Sequence, residues 1–196
     1  NATMVDADGL LKWRPHNLVP YSEDQTQWNL YGATATRTAD RITFTTTSTD
    51  RRAATYRVAT QTVTGLAYKI VADFTVDDGL PVIALGAWQG TARFSWAAYD
   101  TTLLTSSTYT ISDPASAIAV DSCVNISGNI WRLTVGYTAG PSAPTSIGVH
   151  LGAAGQTAQQ LRTAGVGTGS CGVTNVHTYR SDLGGMVNNP DTSNSY

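Results

Sequence analysis

The chain has 196 residues with a formal net charge of −2, and 41% of them are hydrophobic whereas only 13% are Asp, Glu, Lys or Arg. This length and apolar share suit one domain with a packed core. A single Glu and two Lys argue against a mainly helical protein, and the lack of a basic stripe argues against binding to a nucleic-acid backbone. No apolar run approaches the roughly 18 residues of a membrane-spanning helix, so we expect no membrane insertion.

Three parts of the chain differ in pattern. Residues 1–16 predict an N-terminal arm with a hairpin, because the turn Asp6-Ala7-Asp8-Gly9 separates two short segments. Residues 17–187 carry the strand patterns and predict the main domain. Residues 188–196 form a polar tail with nothing to bury.

Alternation of apolar and polar residues begins in the first half of the main domain and predicts strands with one buried face. Residues 82–88 are apolar on both faces and predict a central strand. The residues expected to face the core here are Ile42, Phe44, Leu66, Tyr68, Ile70, Ala72, Phe74 and Val76.

The same alternation continues in the second half. Between residues 117 and 126 it places Asp121, Cys123 and Asn125 on the outer face, and in the strand near residue 150 it places His150 outward. The only helix-like stretch spans residues 156–164 and lacks an apolar stripe. The residues expected to face the core are Ile118, Val120, Val124, Ile126, Trp131, Leu133, Val135, Tyr137, Ile147, Val149 and Leu151.

Roughly ten alternating segments without crossover helices predict two packed antiparallel sheets. We therefore expect an all-β fold, an antiparallel two-sheet jelly-roll β-sandwich with a short N-terminal arm. A closed barrel is the structural alternative.

Residue types that support catalysis or metal binding do not form recognisable motifs. No pair of carboxylates stands out as a glycosidase needs, and no G-x-S-x-G elbow is present, so we expect no enzyme activity. The histidines lack a second ligand at metal spacing, which favours surface or hydrogen-bonding roles. Cys123 and Cys171 either pair in an oxidising environment or stay unpaired structural thiols.

Aromatic residues are the best candidates for ligand binding. Trp88, Tyr99 and Tyr31 lie near predicted strand ends or on the polar side, where a ligand such as a sugar can reach them. The alternative is that each packs in the core or in an interface.

Four segments together resemble a known family. They are NATMVDADGLLKW at 1–13, HNLVPYSEDQTQWNLYGATAT at 16–36, NISGNIWRLTVGY at 125–137 and GVTNVHTYRSDLGGMVNNP at 172–190. In this order they are similar to the carbohydrate-binding-module-like jelly rolls of bacteriophage tail fibres, tailspikes and other virion appendages. Two departures are visible, since Ile130-Trp131-Arg132 replaces the family's G-W-Y-R and the closing run at residues 177–180 is degenerate.

The resemblance implies a non-catalytic structural or host-attachment protein on the virion surface, on either the tail or the capsid. Its implied partners are other virion proteins, copies of itself in a homo-oligomer, and host cell-surface glycan. The alternatives are a capsid decoration or head-fibre assembly protein without its own ligand, and a polysaccharide-degrading enzyme of jelly-roll fold.

A structural calcium ion is the only cofactor that the resemblance suggests. Related modules hold one near the entry segment and the last strand, where this chain has Glu23, Asn17 and Asn175. Calcium prefers more than one carboxylate among its ligands. The alternative is that Glu23 only accepts hydrogen bonds and the protein has no cofactor.

Overall fold

The computed structural model describes residues 3–5, 11–13, 18–19, 25–31, 34–38, 41–45, 54–58, 62–76, 80–89, 93–111, 115–141, 146–163 and 168–181. Within these residues most of the chain is β-strand. The helical elements are a 3-10 turn at Gln25–Gln27 and a one-turn helix, α1, at Gln160–Thr163, and turns and irregular segments make up the rest. Neither described helix is long and apolar enough to cross a membrane.

The N-terminal strands form a separate two-stranded sheet. β1 (Thr3–Val5) pairs with β2 (Leu11–Trp13) in antiparallel fashion, with Thr3 opposite Trp13. This is the hairpin that the Asp-Ala-Asp-Gly turn predicted. The boundaries of the arm and of the polar tail lie outside the described residues and stay predictions.

The other described strands form two six-stranded sheets, and every strand pair in them is antiparallel. Sheet I has the order β10 (Thr105–Ile111), β9 (Arg93–Asp100), β8 (Val82–Gln89), β13 (Ser146–Gly152), β6 (Ala54–Val58) and β3 (Asn29–Tyr31). Sheet II has the order β11 (Ala115–Ser127), β12 (Ile130–Ala139), β7 (Ala67–Val76), β14 (Thr168–Arg180), β5 (Arg41–Thr45) and β4 (Thr34–Arg37).

The strand order is that of a jelly roll. Across the sandwich, β9 of sheet I packs against β11 of sheet II and β8 packs against β12 and β7, and the chain crosses between the sheets at most connections. β10 and β11 extend the two sheets at the same side of the sandwich. The predicted jelly-roll β-sandwich is therefore confirmed, and the sheets do not close into a barrel.

The core between the two sheets follows the predicted alternation closely. Tyr68, Ile70, Ala72 and Phe74 of β7 are buried, and β8 is buried on both faces as expected for a central strand. They share the core with residues of β8, β9 and β13 in sheet I and of β12, the neighbour of β7 in sheet II. These residues are Ile83, Leu85, Ala97, Ile147, Val149, Leu151, Leu133, Val135 and Tyr137. Burial of this apolar surface is the main force that holds the sheets together.

The prediction for the second half of β11 is wrong. Val124 and Ile126 were expected in the core but are 56% and 48% exposed. The pairing with β12 shifts register between Val120 and Ser122, and such a bulge inserts one residue and moves the following side chains to the opposite face. Cys123 consequently faces inward opposite Leu133 and packs against the core.

His150 lies on the outer face of sheet I, as the alternation predicts, but it is buried there and not at the surface. A second apolar cluster covers this face. Ala158 and Leu161 supply its lid, so the described part of the stretch that looked non-amphipathic buries one small apolar face. Beneath the lid lie Val82, Ala84, Trp88, Phe94, Trp96 and Ala98.

The two cysteines do not pair with each other. Both are free, with Cys123 on β11 and Cys171 on β14. Three strand spacings of about 4.8 Å separate these strands in sheet II, whereas a disulfide needs Cα atoms within about 7 Å.

We expect both thiols to resist alkylation in the folded protein. Burial raises the pKa of the Cys123 thiol to about 12, and Cys171 is fully buried. Because the thiolate is the reactive form, iodoacetamide at pH 8 should modify the native protein at least about 100-fold more slowly than the urea-unfolded chain. Mass spectrometry over time measures this, and native alkylation at the unfolded rate would contradict the burial of Cys123.

Candidate functional site

A cavity of about 260 Å³ opens at one edge of sheet I, and we call it the rim cavity. One wall is the hairpin that joins β9 to β10, and the other is the segment at residues 153–157. Its lining residues are Ala98, Asp100, Leu103, Thr105, Ser106, Ser107, Gly155, Gln156 and Thr157.

Asp100 joins the two walls. It ends β9, and its Oδ1 accepts hydrogen bonds from the backbone N–H groups of Thr102 (2.8 Å) and Leu103 (3.0 Å), as short Asx turns do. Its Oδ2 accepts one from the N–H of Gly155 at 2.7 Å, across 55 residues of sequence. The carboxylate therefore fixes the hairpin against the opposite wall.

The charge of Asp100 is stabilised by these donors. Burial disfavours the ionised form, since the residue is only 3% exposed, but the N–H groups of Gly155, Leu103 and Thr102 outweigh that effect and lower its pKa. The carboxylate of Asp100 is consequently negatively charged at neutral pH and accepts hydrogen bonds.

Side-chain hydrogen bonds hold the backbone of residues 157 and 158, where the 153–157 wall ends. Ser107 Oγ accepts a hydrogen bond from Ala158 N at 2.8 Å, and Trp96 Nε1 donates to Ala158 O at 2.5 Å. Thr157 and Gln160 form a capping box, in which Gln160 Oε1 accepts from Thr157 N at 2.8 Å and Thr157 Oγ1 accepts from Gln160 N at 3.4 Å.

The tip of the β9–β10 hairpin carries two exposed leucines. Leu103 and Leu104 are 58% and 61% exposed, and Leu104 has a φ of +56°. A left-handed backbone is unfavourable for leucine by about 1–2 kcal/mol, so the surrounding hydrogen bonds, including Leu104 N to Asp100 O at 2.8 Å, must hold it. Apolar surface is thereby presented beside a polar cavity.

The lining defines what this cavity can do chemically. It combines hydroxyl groups, an amide and one carboxylate with the apolar side chains of Ala98 and Leu103, and none of the lining residues is basic. A single carboxylate does not supply the two that glycosidic hydrolysis uses. The arrangement suits reversible binding of an uncharged, hydroxylated molecule.

No family model and no curated protein matches this chain.

Trp88 does not occupy the accessible position that the sequence suggested. It is 3% exposed, because its indole lies over Gly148, where an added Cβ would be 2.9 Å from the ring, and beside His150 at 5.4 Å between ring centres. Trp88 packs in the outer apolar cluster, so its proposed role as an open sugar platform is wrong.

Tyr99 lies on the inner face of sheet I and is partly buried against the core. Its ring is 6.3 Å from that of Trp131, between the two sheets. Trp88 belongs to the cluster on the outer face of the same sheet. Because the two rings lie on opposite faces of sheet I, they cannot line one site. Tyr31 belongs to β3, but its side chain lies outside the described residues, so its role stays a prediction.

The suggested calcium residues are only partly described. Asn17 and Glu23 lie outside the described residues, and Asn175 lies in a bulge of β14 with a φ of +53°. Asn175 Nδ2 donates to Asp73 Oδ2 at 2.9 Å. Within the described part of the chain no group of three His, Cys, Asp or Glu residues is arranged to hold a metal ion. The calcium site stays a prediction.

Asp73 forms a polar cluster on the outer face of sheet II. It receives a bidentate ion pair from Arg132, with Nε–Oδ1 and Nη2–Oδ2 both 2.7 Å, in addition to the bond from Asn175. His177 is buried beside this pair. Because Asp73 points outward as predicted yet is buried, the cluster is best explained as a structural element of the sheet.

The residues of the rim cavity were not found by sequence reasoning. Asp100-Thr101-Thr102 is a recognisable Asx-turn signal, and Thr157 with Gln160 matches a capping box. Neither signal indicates that the two segments meet, because their contact depends on the pairing of β8, β9 and β13 in sheet I.

Proposed function

We propose that the chain is a non-catalytic domain of a bacteriophage virion, carried on a tail fibre or other surface appendage, where it attaches the particle to host-surface glycan. The observation that carries the proposal is the rim cavity, a rigid polar recess in a jelly-roll sandwich. Its position between two connections at a sandwich edge is typical of binding sites on such scaffolds.

Two further observations support this function. The resemblance of the four segments to phage appendage modules supports the virion placement. The low content of charged residues and the hydroxyl-rich lining support hydrogen bonding to sugars, since hydroxyl groups both donate and accept.

Labelling of intact virions tests the placement. Gold-conjugated antibody against the chain should decorate a tail fibre, tail tip or other appendage of undamaged particles in electron micrographs. Antibody binding only to disrupted particles would contradict the proposed exposure, and particles without the chain would contradict virion membership.

Adsorption assays test the attachment role. The purified chain should bind host cells and slow the adsorption of intact phage by occupying the receptor. Binding should disappear after periodate oxidises the vicinal diols of the surface glycan. Release of reducing ends from host polysaccharide by the chain would instead show a glycan-degrading enzyme.

A second candidate function is assembly without a ligand, as in a capsid decoration or head-fibre protein. The observation that favours it is the exposure of Val124 and Ile126 on β11, an edge strand of sheet II. Exposed apolar side chains on an edge strand are typical of protein interfaces. This function predicts symmetric, high-copy labelling of the head and no binding to host glycan.

A further inference from the structure

We propose that the rim cavity binds a single uncharged pyranose ring, the terminal sugar of a glycan, with Leu103 against its apolar face. This inference rests on the proposed attachment function and assigns the site and ligand class that would perform it.

The size of the cavity restricts the ligand. Pockets for drug-sized molecules are about 300–1,000 Å³, and the rim cavity is about 260 Å³. It lies at the edge of the sandwich, between two surface connections. A ligand of one ring therefore fits inside, while the rest of a longer glycan extends into solvent.

The polar groups of the cavity match sugar hydroxyls. Asp100 lines the cavity, and three of the roughly four acceptor positions of its carboxylate are taken by backbone donors, so about one position remains for a ligand hydroxyl. Thr105 lies opposite Asp100 on the same face of sheet I, and within the described part of the chain its hydroxyl group makes no hydrogen bond to protein, so it is available to a ligand.

The charge of the cavity selects against anions. A sialic acid or a phosphorylated sugar would bring a second negative charge beside Asp100, and none of the lining residues is Lys, Arg or His. Like charges at close range disfavour binding, so a neutral sugar is the better match.

Apolar contact comes from the hairpin tip. Leu103 lines the cavity and is 58% exposed, so a sugar ring that covers it buries apolar surface on both molecules. The bonds from Asp100 hold this tip in place before binding, which lowers the ordering cost. Because the contact area is small, we expect a Kd of about 1–10 mM for one sugar, with avidity from several copies on a particle.

Titration of the isotope-labelled full chain tests the site. D-glucose, D-galactose, L-rhamnose and N-acetyl-D-glucosamine are added separately, and amide shifts are followed by ¹H–¹⁵N correlation spectra. At least one sugar should give saturable shifts centred on residues 103–107 and 155–157. Absence of saturable shifts with all four, or shifts centred elsewhere, would overturn the proposal.

Matched variants connect those shifts to the cavity. Thr105→Trp fills the cavity and should weaken binding at least about 10-fold, whereas Thr108→Trp, on the same strand but on the opposite face and outside the lining, should leave it unchanged. Leu103→Ala keeps the hydrogen-bonding groups and should weaken binding by about 3- to 10-fold through lost apolar contact. Equal weakening by Thr105→Trp and Thr108→Trp would overturn the assignment, as would stronger binding of N-acetylneuraminic acid than of neutral sugars.

The outcomes separate this inference from the proposed function. If labelled virions carry the chain, and the purified Thr105→Trp variant slows phage adsorption as strongly as the unmodified chain does, the cavity assignment fails while the attachment function stands. If neutral sugars bind the cavity but virions lack the chain, the virion function fails while the site stands.

Discussion

Replacement of Trp96 with Ala is expected to lower the free energy of unfolding by about 3–5 kcal/mol, the usual range for a buried aromatic residue. Trp96 is the centre of the outer apolar cluster, where its ring lies 4.5 Å from that of Phe94, 4.4 Å from His150 and 5.6 Å from Tyr109. Its Nε1 also binds Ala158 O. The variant leaves a cavity beneath the lid and an acceptor without its donor.

The conservative variant Trp96→Phe separates packing from hydrogen bonding. It keeps most of the ring contacts but loses the bond to Ala158 O, so we expect a smaller loss of about 1–3 kcal/mol. Urea unfolding followed by tryptophan fluorescence and circular dichroism measures both variants. A loss below about 1 kcal/mol for Trp96→Ala would show that the outer cluster contributes little to stability.

Trp96→Ala should also loosen the 153–157 wall of the rim cavity. The indole supports Ala158, which follows that wall directly. Amide hydrogen exchange at residues 155–158 should therefore become faster by more than the global loss of stability explains. Unchanged relative protection would show that Ser107 and the capping box hold the wall by themselves.

Acidification from pH 6.5 to pH 4 is expected to remove up to about 3 kcal/mol of stability through His177. Burial lowers the pKa of His177 from 6.5 to about 4, an effect that the charge of Asp73 opposes and that of Arg132 reinforces. Between these values the unfolded chain binds a proton that the folded protein does not. The stability contribution is fully present above pH 6.5 and falls as the pH approaches 4, at about 1.4 kcal/mol per pKa unit.

The variant His177→Gln isolates this effect from that of the carboxylates. Free energies of unfolding are measured in urea at pH 7.0, 5.5 and 4.5 for both proteins. The difference between them should change across the window, because only the unmodified chain loses the histidine contribution. Parallel pH profiles would show that His177 titrates equally in the folded and unfolded states.

Much of the architecture was predictable from local pattern. The alternation of residues 66–76 and 129–137 placed Ile70, Phe74, Leu133 and Val135 in the core, and all four are buried. The run at residues 82–88 identified a central strand with two covered faces. These predictions succeeded because side chains in an extended backbone point alternately to opposite faces, wherever the strand is placed.

The prediction failed where alternation was interrupted or where an outer face was covered. A single inserted residue near Asp121 reversed the faces of Val124 and Ile126. Trp88 and His150 were assigned to accessible positions, yet Ala158 and Leu161 cover that face from a distant part of the chain. Neither a bulge nor a lid leaves a local signal.

By itself the sequence determined that the protein is an all-β sandwich, because the choice between strand and helix is written in the period of its apolar residues. Only the tertiary structure decided which side chains meet at the rim cavity. Asp100 and Gly155 are 55 residues apart, and nothing near either of them specifies the other. Their contact depends on the jelly-roll order of the strands, which long-range burial and backbone pairing establish together.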